Sequence, residues 1–335
     1  MKAKQNILLI YKNQTLSKVF ENNLSYEGYD VEVLLKEPYR PYQLSFIQRI
    51  INIMFRVLKV YDYPVKAEQY NFKKYCEKSL KNLASKSYDY CLVIRGDLVP
   101  EQVIRHGRSI SRRMIDFQLD GLSVSSKILD YQKYFDDIFV FDPDDVKKYP
   151  EAALHFLPNC YFGEPDFSIP SEIDLLYIGQ YLDERNVQLK NLHQYLEEHQ
   201  LSYTSHTSLY RGRCFEPLHP KVLQHKTSTS YEGNLDFVKK SKIIIDFKRK
   251  EHNGLSLRFF EAMQYGKKII TDNVSVKNYE FYHPNNIFVT DFVHLDGILE
   301  FIQKPYHPLP ETLIEQYGFK NWIKVILGKS TNNKK

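Results

Sequence analysis

The chain has 335 residues, more than one hydrophobic core usually organises, so two domains of roughly 150 residues each are expected. Hydrophobic residues make up 43% and charged residues 26%, an ordinary globular balance, and no apolar run approaches the roughly 18 residues that cross a bilayer. The formal charge of +5 is mild and the Lys and Arg residues are dispersed, which argues against nucleic acid as a partner.

Met1 to Gln5 carries two lysines, but the apolar stretch behind it, Ile7 to Ile10, is short and runs into Lys12, Asn13 and Gln14. That reads as a buried strand rather than a secretory signal. Cys76, Cys91, Cys160 and Cys214 lie far apart, with no CxxC pair and no histidine at metal spacing. Disulfides and structural zinc are not expected, and a reducing cytoplasm fits.

Short β-rich apolar runs alternate with amphipathic stretches, the pattern of βα units around a parallel sheet. In chain order the predicted elements are a strand at Asn6–Tyr11, a helix at about Leu16–Tyr26 and a strand at Asp30–Leu35. Leu44–Val60 then forms the most apolar helix of this half, with Arg49, Arg56 and Lys59 interspersed. It reads either as a core-facing helix whose cations snorkel or as a lid or membrane-docking helix, with Tyr39, Arg40 and Tyr42 at its entrance. Strands follow at Tyr88–Ile94, Arg113–Phe117, Ile138–Phe141 and Ala153–Leu157.

The Pro- and Gly-containing stretch Pro158–Pro170 breaks this pattern, and Ile173–Gly179 opens a fresh strand. The reading is an N-terminal Rossmann-like domain over 1–160 and a C-terminal one over 161–335, with the last helix packing back on the first domain. The second half repeats the alternation: a helix at Arg185–His199, a strand at Lys242–Phe247, a helix at Ser256–Tyr265 and a strand at Lys268–Thr271.

The segment from Lys242 to Asn273 is the most informative. A strand ends in a polar loop, Gly254 leads into a helix carrying Arg258 and Glu261 on one face, and Gly266 ends that helix. In a doubly wound sheet ligands lie beyond the carboxyl ends of the strands, and a helix N-terminus there offers N–H groups to a diphosphate. Three residues apart, Arg258 and Glu261 either pair with each other or grip a phosphate and a ribose diol. Gly179 and Arg185 read either as a turn glycine and a surface arginine or as a close backbone approach and a diphosphate contact. Lys248, Arg249 and Lys250 add positive charge nearby.

Gly254-Leu255-Ser256-Leu257-Arg258-Phe259-Phe260-Glu261-Ala262-Met263, followed by Gly266 and a strand, resembles the donor-site signature of GT-B glycosyltransferases. The resemblance implies an α/β fold of two Rossmann-like doubly wound domains facing a central cleft. It places Glu261 at the ribose of a nucleotide sugar and implies a donor site that includes Gly179, Arg185, Lys248, Asn253, Gly254, Leu255, Ser256 and Arg258. The E-x7-E form of the signature would put glutamate at position 253, where this chain has Asn253, so a retaining mechanism is not implied. Upstream, Ile94-Arg95-Gly96-Asp97, Phe117-Gln118-Leu119-Asp120, Phe135-Asp136, Val140-Phe141-Asp142-Pro143-Asp144-Asp145 and Phe156-Leu157-Pro158 fall in an order similar to CgeB-like and surface-polysaccharide transferases.

That likeness implies a glycosyltransferase taking a nucleotide-sugar donor and a saccharide or lipid-linked acceptor, in the synthesis of capsule, lipopolysaccharide or related polymers. No metal or other cofactor is expected, and the setting is cytoplasmic with peripheral contact at the inner membrane. Asp120, just past a strand end, is a candidate general base or else a helix cap, and Asp97 carries the same ambiguity. Asp142-Pro143-Asp144-Asp145 reads as a D-x-D metal pair or as a helix cap with first-turn acids. Two other functions share this layout: a two-lobed sugar-binding protein, and a non-transferring enzyme such as an epimerase.

Overall fold

The computed structural model describes residues 4–36, 39, 44–58, 63–81, 83, 86–180, 182–208, 222–225 and 230–328. The chain divides into two compact units, Met1–Phe139 with Glu151–His155, and Val140–Pro150 with Phe156–Lys335.

In chain order the first half holds β1 (Asn6–Tyr11), α1 (Gln14–Tyr26), β2 (Asp30–Val33), α2 (Phe46–Val57), α3 (Tyr63–Lys81), β3 (Tyr88–Ile94), α4 (Glu101–Ser109), β4 (Ser111–Gln118) and β5 (Asp137–Val140). After α5 (Pro143–Lys148) comes β6 (His155–Phe156), shorter than the predicted strand. The sheet order is β2-β1-β3-β4-β5-β6, and β1 pairs in parallel with both β2 and β3. Ile7–Ile10 and Cys91–Ile94 are wholly buried, which explains why these strands are continuous apolar runs without alternation: both faces of the sheet are covered. Asn13 starts α1 by accepting from the Leu16 N–H at 3.2 Å.

The core-facing expectation for the apolar helix is not met, because α2 has no buried residue. It leans on α3 through its more polar side: Gln48 and Asn71 exchange amide hydrogen bonds of 2.9 and 3.2 Å, and Phe55 stacks on Tyr63 at 5.2 Å. Residues 59–60 of the predicted helix, with Arg40 and Tyr42, lie outside the described residues, whereas the Tyr39 hydroxyl donates to Glu68 of α3 at 2.7 Å.

The second half continues with β7 (Ile173–Gln180), α6 (Asp183–Glu198), β8 (Tyr203–Ser208), β9 (Val222–His225), α7 (Tyr231–Lys240) and β10 (Ser241–Asp246). It ends with α8 (Leu257–Gln264), β11 (Lys268–Thr271), β12 (Ile287–Val289), α9 (Ile298–Gln303), α10 (Glu311–Gln316) and α11 (Phe319–Ile326). The sheet order is β12-β11-β10-β7-β8-β9, parallel throughout. Leu189, Leu192 and Leu196 give α6 one apolar stripe, which packs with Leu175, Ile245 and Ile270 of the sheet. Phe319 of α11 rests on Phe162 at 5.4 Å within the same unit.

Candidate functional site

In the second sheet the chain runs outward from β7 through β8 to β9, then returns to β10 and runs the other way through β11 to β12. The switch point therefore lies between β7 and β10, and a crevice opens beyond their carboxyl ends. Gly179 stands near the end of β7 and buried Asp246 ends β10. Arg185, in the first turn of α6, reaches across: its Nη2 donates to the Phe247 carbonyl at 2.9 Å, while its buried Nε has no hydrogen-bond partner.

Gly179 has an internal cause. A Cβ there would stand 2.3 Å from the Tyr177 hydroxyl oxygen, since residues two apart on a strand share a face. Burial pushes the Tyr177 phenol above its ordinary pKa, and the neighbouring Arg185 charge opposes that shift.

Between β10 and α8 the hydrogen bonds form a chain. The Ser256 hydroxyl caps α8 by accepting from the Arg258 N–H at 3.2 Å, and it donates to Asp246 at 2.7 Å. Burial raises the Asp246 carboxyl, against the Ser256 hydrogen bond and the Arg185 and Arg258 charges. Arg258 and Glu261 pair with each other one turn apart, the simpler of the two expected arrangements. Glu261 is fully buried, and its Oε1 has no hydrogen-bond partner. The buried Tyr231 hydroxyl is likewise unpartnered, and burial and the Glu261 charge raise its pKa.

The loop ahead of α8 is tied down elsewhere. Asn253 donates its backbone N–H to Asp142 at 2.9 Å and its side-chain Nδ2 to Asp144 at 2.6 Å, and its side-chain Oδ1 accepts from Lys248. The Asn253 side chain is thus committed to protein groups. A Cβ on Gly254 would lie 2.5 to 2.8 Å from the Phe141 ring and carbonyl, so glycine is required by packing. Leu255 is buried and its carbonyl accepts from Asn159 at 2.9 Å. A pocket of about 970 Å³ opens beside this loop, lined by Asp144, Lys147, Asn253, Ser275, Tyr279 and Tyr317 among others.

Asp142 is the cap of α5, as one reading of the acidic run expected: it accepts from the Asp144 N–H at 3.1 Å. Its second oxygen takes the Asn253 N–H, and the two Asp144 oxygens take Asn253 and Lys147. N–H donors hold Asp144 below its usual carboxylate range. Among the described residues no group of three His, Cys, Asp or Glu could hold a metal ion.

In the first sheet the switch point lies between β1 and β3, and the polar residues beyond it form a second cluster. Arg95 follows β3 with φ of 58°, a left-handed conformation that non-glycine residues seldom adopt. It holds Asp97 with two hydrogen bonds of 2.8 and 2.9 Å and also pairs with Asp120. The Asp97 side chain is wholly buried, whereas that of Asp120 keeps 26% exposure. Beneath them Asp116, the sixth residue of β4, accepts from the Gly96 N–H at 2.9 Å and from Gln118 at 2.7 Å. Burial pushes its carboxyl up to about 8. Sequence reasoning assigned no role to Arg95, Asp116, Tyr177 or Asp246; the available signal was a polar residue interrupting or ending an apolar strand.

No protein-family model matches the chain, and no curated protein matches it. Solved structures do. An α-glucosyltransferase in complex with UDP and a 13-mer DNA containing an HMU base has a TM-score of 0.60 at 11% identity, covering 97% of this chain and 100% of that one. An α,α-trehalose-phosphate synthase (UDP-forming) from Burkholderia xenovorans gives 0.59 at 11% identity over 97% and 99%. The trehalose-6-phosphate phosphatase N-terminal domain of Candida albicans gives 0.54 at 14% identity over 98% of each chain. With its two six-stranded parallel sheets, the chain has the α/β fold expected of GT-B nucleotide-sugar glycosyltransferases.

Proposed function

We propose that the chain is a glycosyltransferase whose second unit binds a nucleotide-sugar donor. The observation that carries this reading is the convergence of Arg185, Asp246, Ser256, Arg258 and Glu261 beyond the carboxyl ends of β7 and β10, in a fold shared with enzymes solved with UDP. Arg185, its Nε unpartnered, neutralises the leaving diphosphate together with Lys248 and the N–H groups at the start of α8. Glu261 Oε1 accepts from the ribose hydroxyls, while Arg258 compensates its charge. Gly179, Asn253, Gly254 and Leu255 shape the walls rather than contact the donor through side chains.

In the transfer step the bond between the sugar anomeric carbon and the diphosphate oxygen breaks, and a new bond forms from that carbon to an acceptor hydroxyl. Asp120 takes the hydroxyl proton, and the electron pair leaves with the diphosphate. Asp97 acts through Arg95, fixing the guanidinium that orients Asp120. Positive side chains and a helix N-terminus at the leaving group make a metal ion unnecessary in this scheme. The acceptor is a saccharide or lipid-linked sugar in surface-polysaccharide synthesis, met at the cytoplasmic face of a membrane; the order of the upstream motifs supports this finer reading.

The test is incubation with a panel of UDP-, GDP- and CMP-sugars and simple acceptors, with products identified by mass spectrometry. A new glycoside formed with release of the nucleotide supports transfer. A donor returned as its epimer assigns the fold to the non-transferring enzyme instead.

A further inference from the structure

We infer that α2 is a docking helix for an anionic lipid surface. This deepens the peripheral membrane setting in the proposed function by naming the surface and its partner, and it stands on geometry that the transfer reaction does not use. Phe46, Ile47, Ile50, Ile53, Met54 and Val57 are between 46% and 78% exposed. At about 100° per residue they fall within an arc of about 120° on one side of the helix. The side facing α3 is the more polar one, mixing Gln48 and Asn52 with Ile51 and Phe55, and the buried Asn52 Oδ1 there has no partner. The amphipathicity is thus inverted with respect to the protein: the helix offers solvent the face that a surface helix normally hides.

The charges select the occupant. Arg49 and Arg56 lie together on one border of the apolar arc, both exposed, and neither α2 nor its caps carries an acidic residue. The neighbouring α3 has five lysines against two glutamates. A bilayer with anionic headgroups supplies both an apolar layer for the six side chains and phosphates for the guanidinium groups, whose stems snorkel outward. Self-pairing of two copies through this face brings these positive charges together, which disfavours a dimer. The capping box at Ser45 and Gln48 keeps the helix formed before contact, so binding does not have to order it.

The full chain is sedimented with vesicles of phosphatidylcholine alone and of phosphatidylcholine with about 30% phosphatidylglycerol. The wild type is expected to bind the anionic vesicles more tightly, in a salt-sensitive way. The double variant Ile50→Glu, Met54→Glu is expected to weaken binding on the order of tenfold or more. Arg49→Gln with Arg56→Gln should remove much of the preference for anionic lipid. Both variants should keep the wild-type unfolding midpoint and nucleotide-sugar affinity, which separates failure of docking from failure of the donor assignment. Wild-type protein that stays in the supernatant with both vesicles overturns the inference. So does a glutamate variant that sediments unchanged, or a solution dimer that the glutamate variant dissolves.

Discussion

Arg185 and Phe247, 62 positions apart in the sequence, are joined by a 2.9 Å hydrogen bond from the guanidinium to the backbone carbonyl, across the point where the second sheet reverses its strand order. The bond uses one nitrogen and leaves the buried Nε unpartnered, so the guanidinium is fixed in direction with donor capacity in reserve. Replacing Arg185 with glutamine is expected to raise the donor KM by about tenfold or more, since a hydrogen bond to a charged group is worth about 1.5 to 3 kcal/mol. Activity should survive EDTA, because in the proposed scheme these side chains rather than a cation meet the diphosphate. Loss of activity in EDTA that magnesium or manganese restores would contradict this.

Glu261 and Arg258 must be tested as a buried pair. Glu261→Ala strands a guanidinium whose side chain is only 17% exposed, and it is expected to lower stability by about 3 to 5 kcal/mol as well as abolish transfer. Alanine therefore does not leave the fold untouched. Glu261→Gln retains the shape and one acceptor oxygen, so it should lose turnover with a much smaller change in unfolding midpoint. Parental kinetics in the glutamine variant, measured beside urea unfolding curves, would remove this helix from the donor site.

The Arg95–Asp97–Asp120 cluster of the first half makes a separate claim. Asp120→Asn keeps the size of the side chain and removes its basicity, so turnover should fall about 100- to 10,000-fold while donor affinity stays unchanged. Single-turnover kinetics alongside donor titration resolve the two quantities. An unchanged rate would leave Asp120 as a partner of Arg95 and nothing more.

The continuous apolar runs of β1 and β3 and the break at Pro158–Pro170 made the two-sheet architecture legible, because strands covered on both faces are written as unbroken apolar segments. β8 was not legible: its residues, Tyr203 to Ser208, are mostly polar and hydroxyl-bearing, although Ser205, His206 and Thr207 are buried. Periodicity showed that α2 is apolar but not which side faces the protein, since that depends on α3 packing against Gln48 and Phe55. The same limit applied to the candidate site. The pairing of Arg258 with Glu261 was one of two readings that a spacing of three offered, whereas the Asn253 bond to Asp144 spans 109 positions and has no local signal.

Asp116 gives the first half a defined pH response. Burial raises its folded-state pKa from 3.8 to about 8, so the folded chain holds a proton that the unfolded chain has released. The contribution of Asp116 to stability is then greatest below the unfolded value and falls as pH rises from about 4 towards 8. Thermal unfolding across that window should show wild-type stability falling relative to that of Asp116→Asn, which cannot ionise, as the pH rises. Equal slopes in the two proteins would mean that Asp116 does not carry the effect.

The most direct test of the central claim is mass-spectrometric analysis of a nucleotide-sugar and acceptor panel incubated with the purified chain. The proposed function predicts one donor class converted to free nucleotide in step with a new glycoside whose mass equals acceptor plus sugar less water. Donors recovered intact, or recovered as epimers with no glycoside formed by any of them, would contradict it.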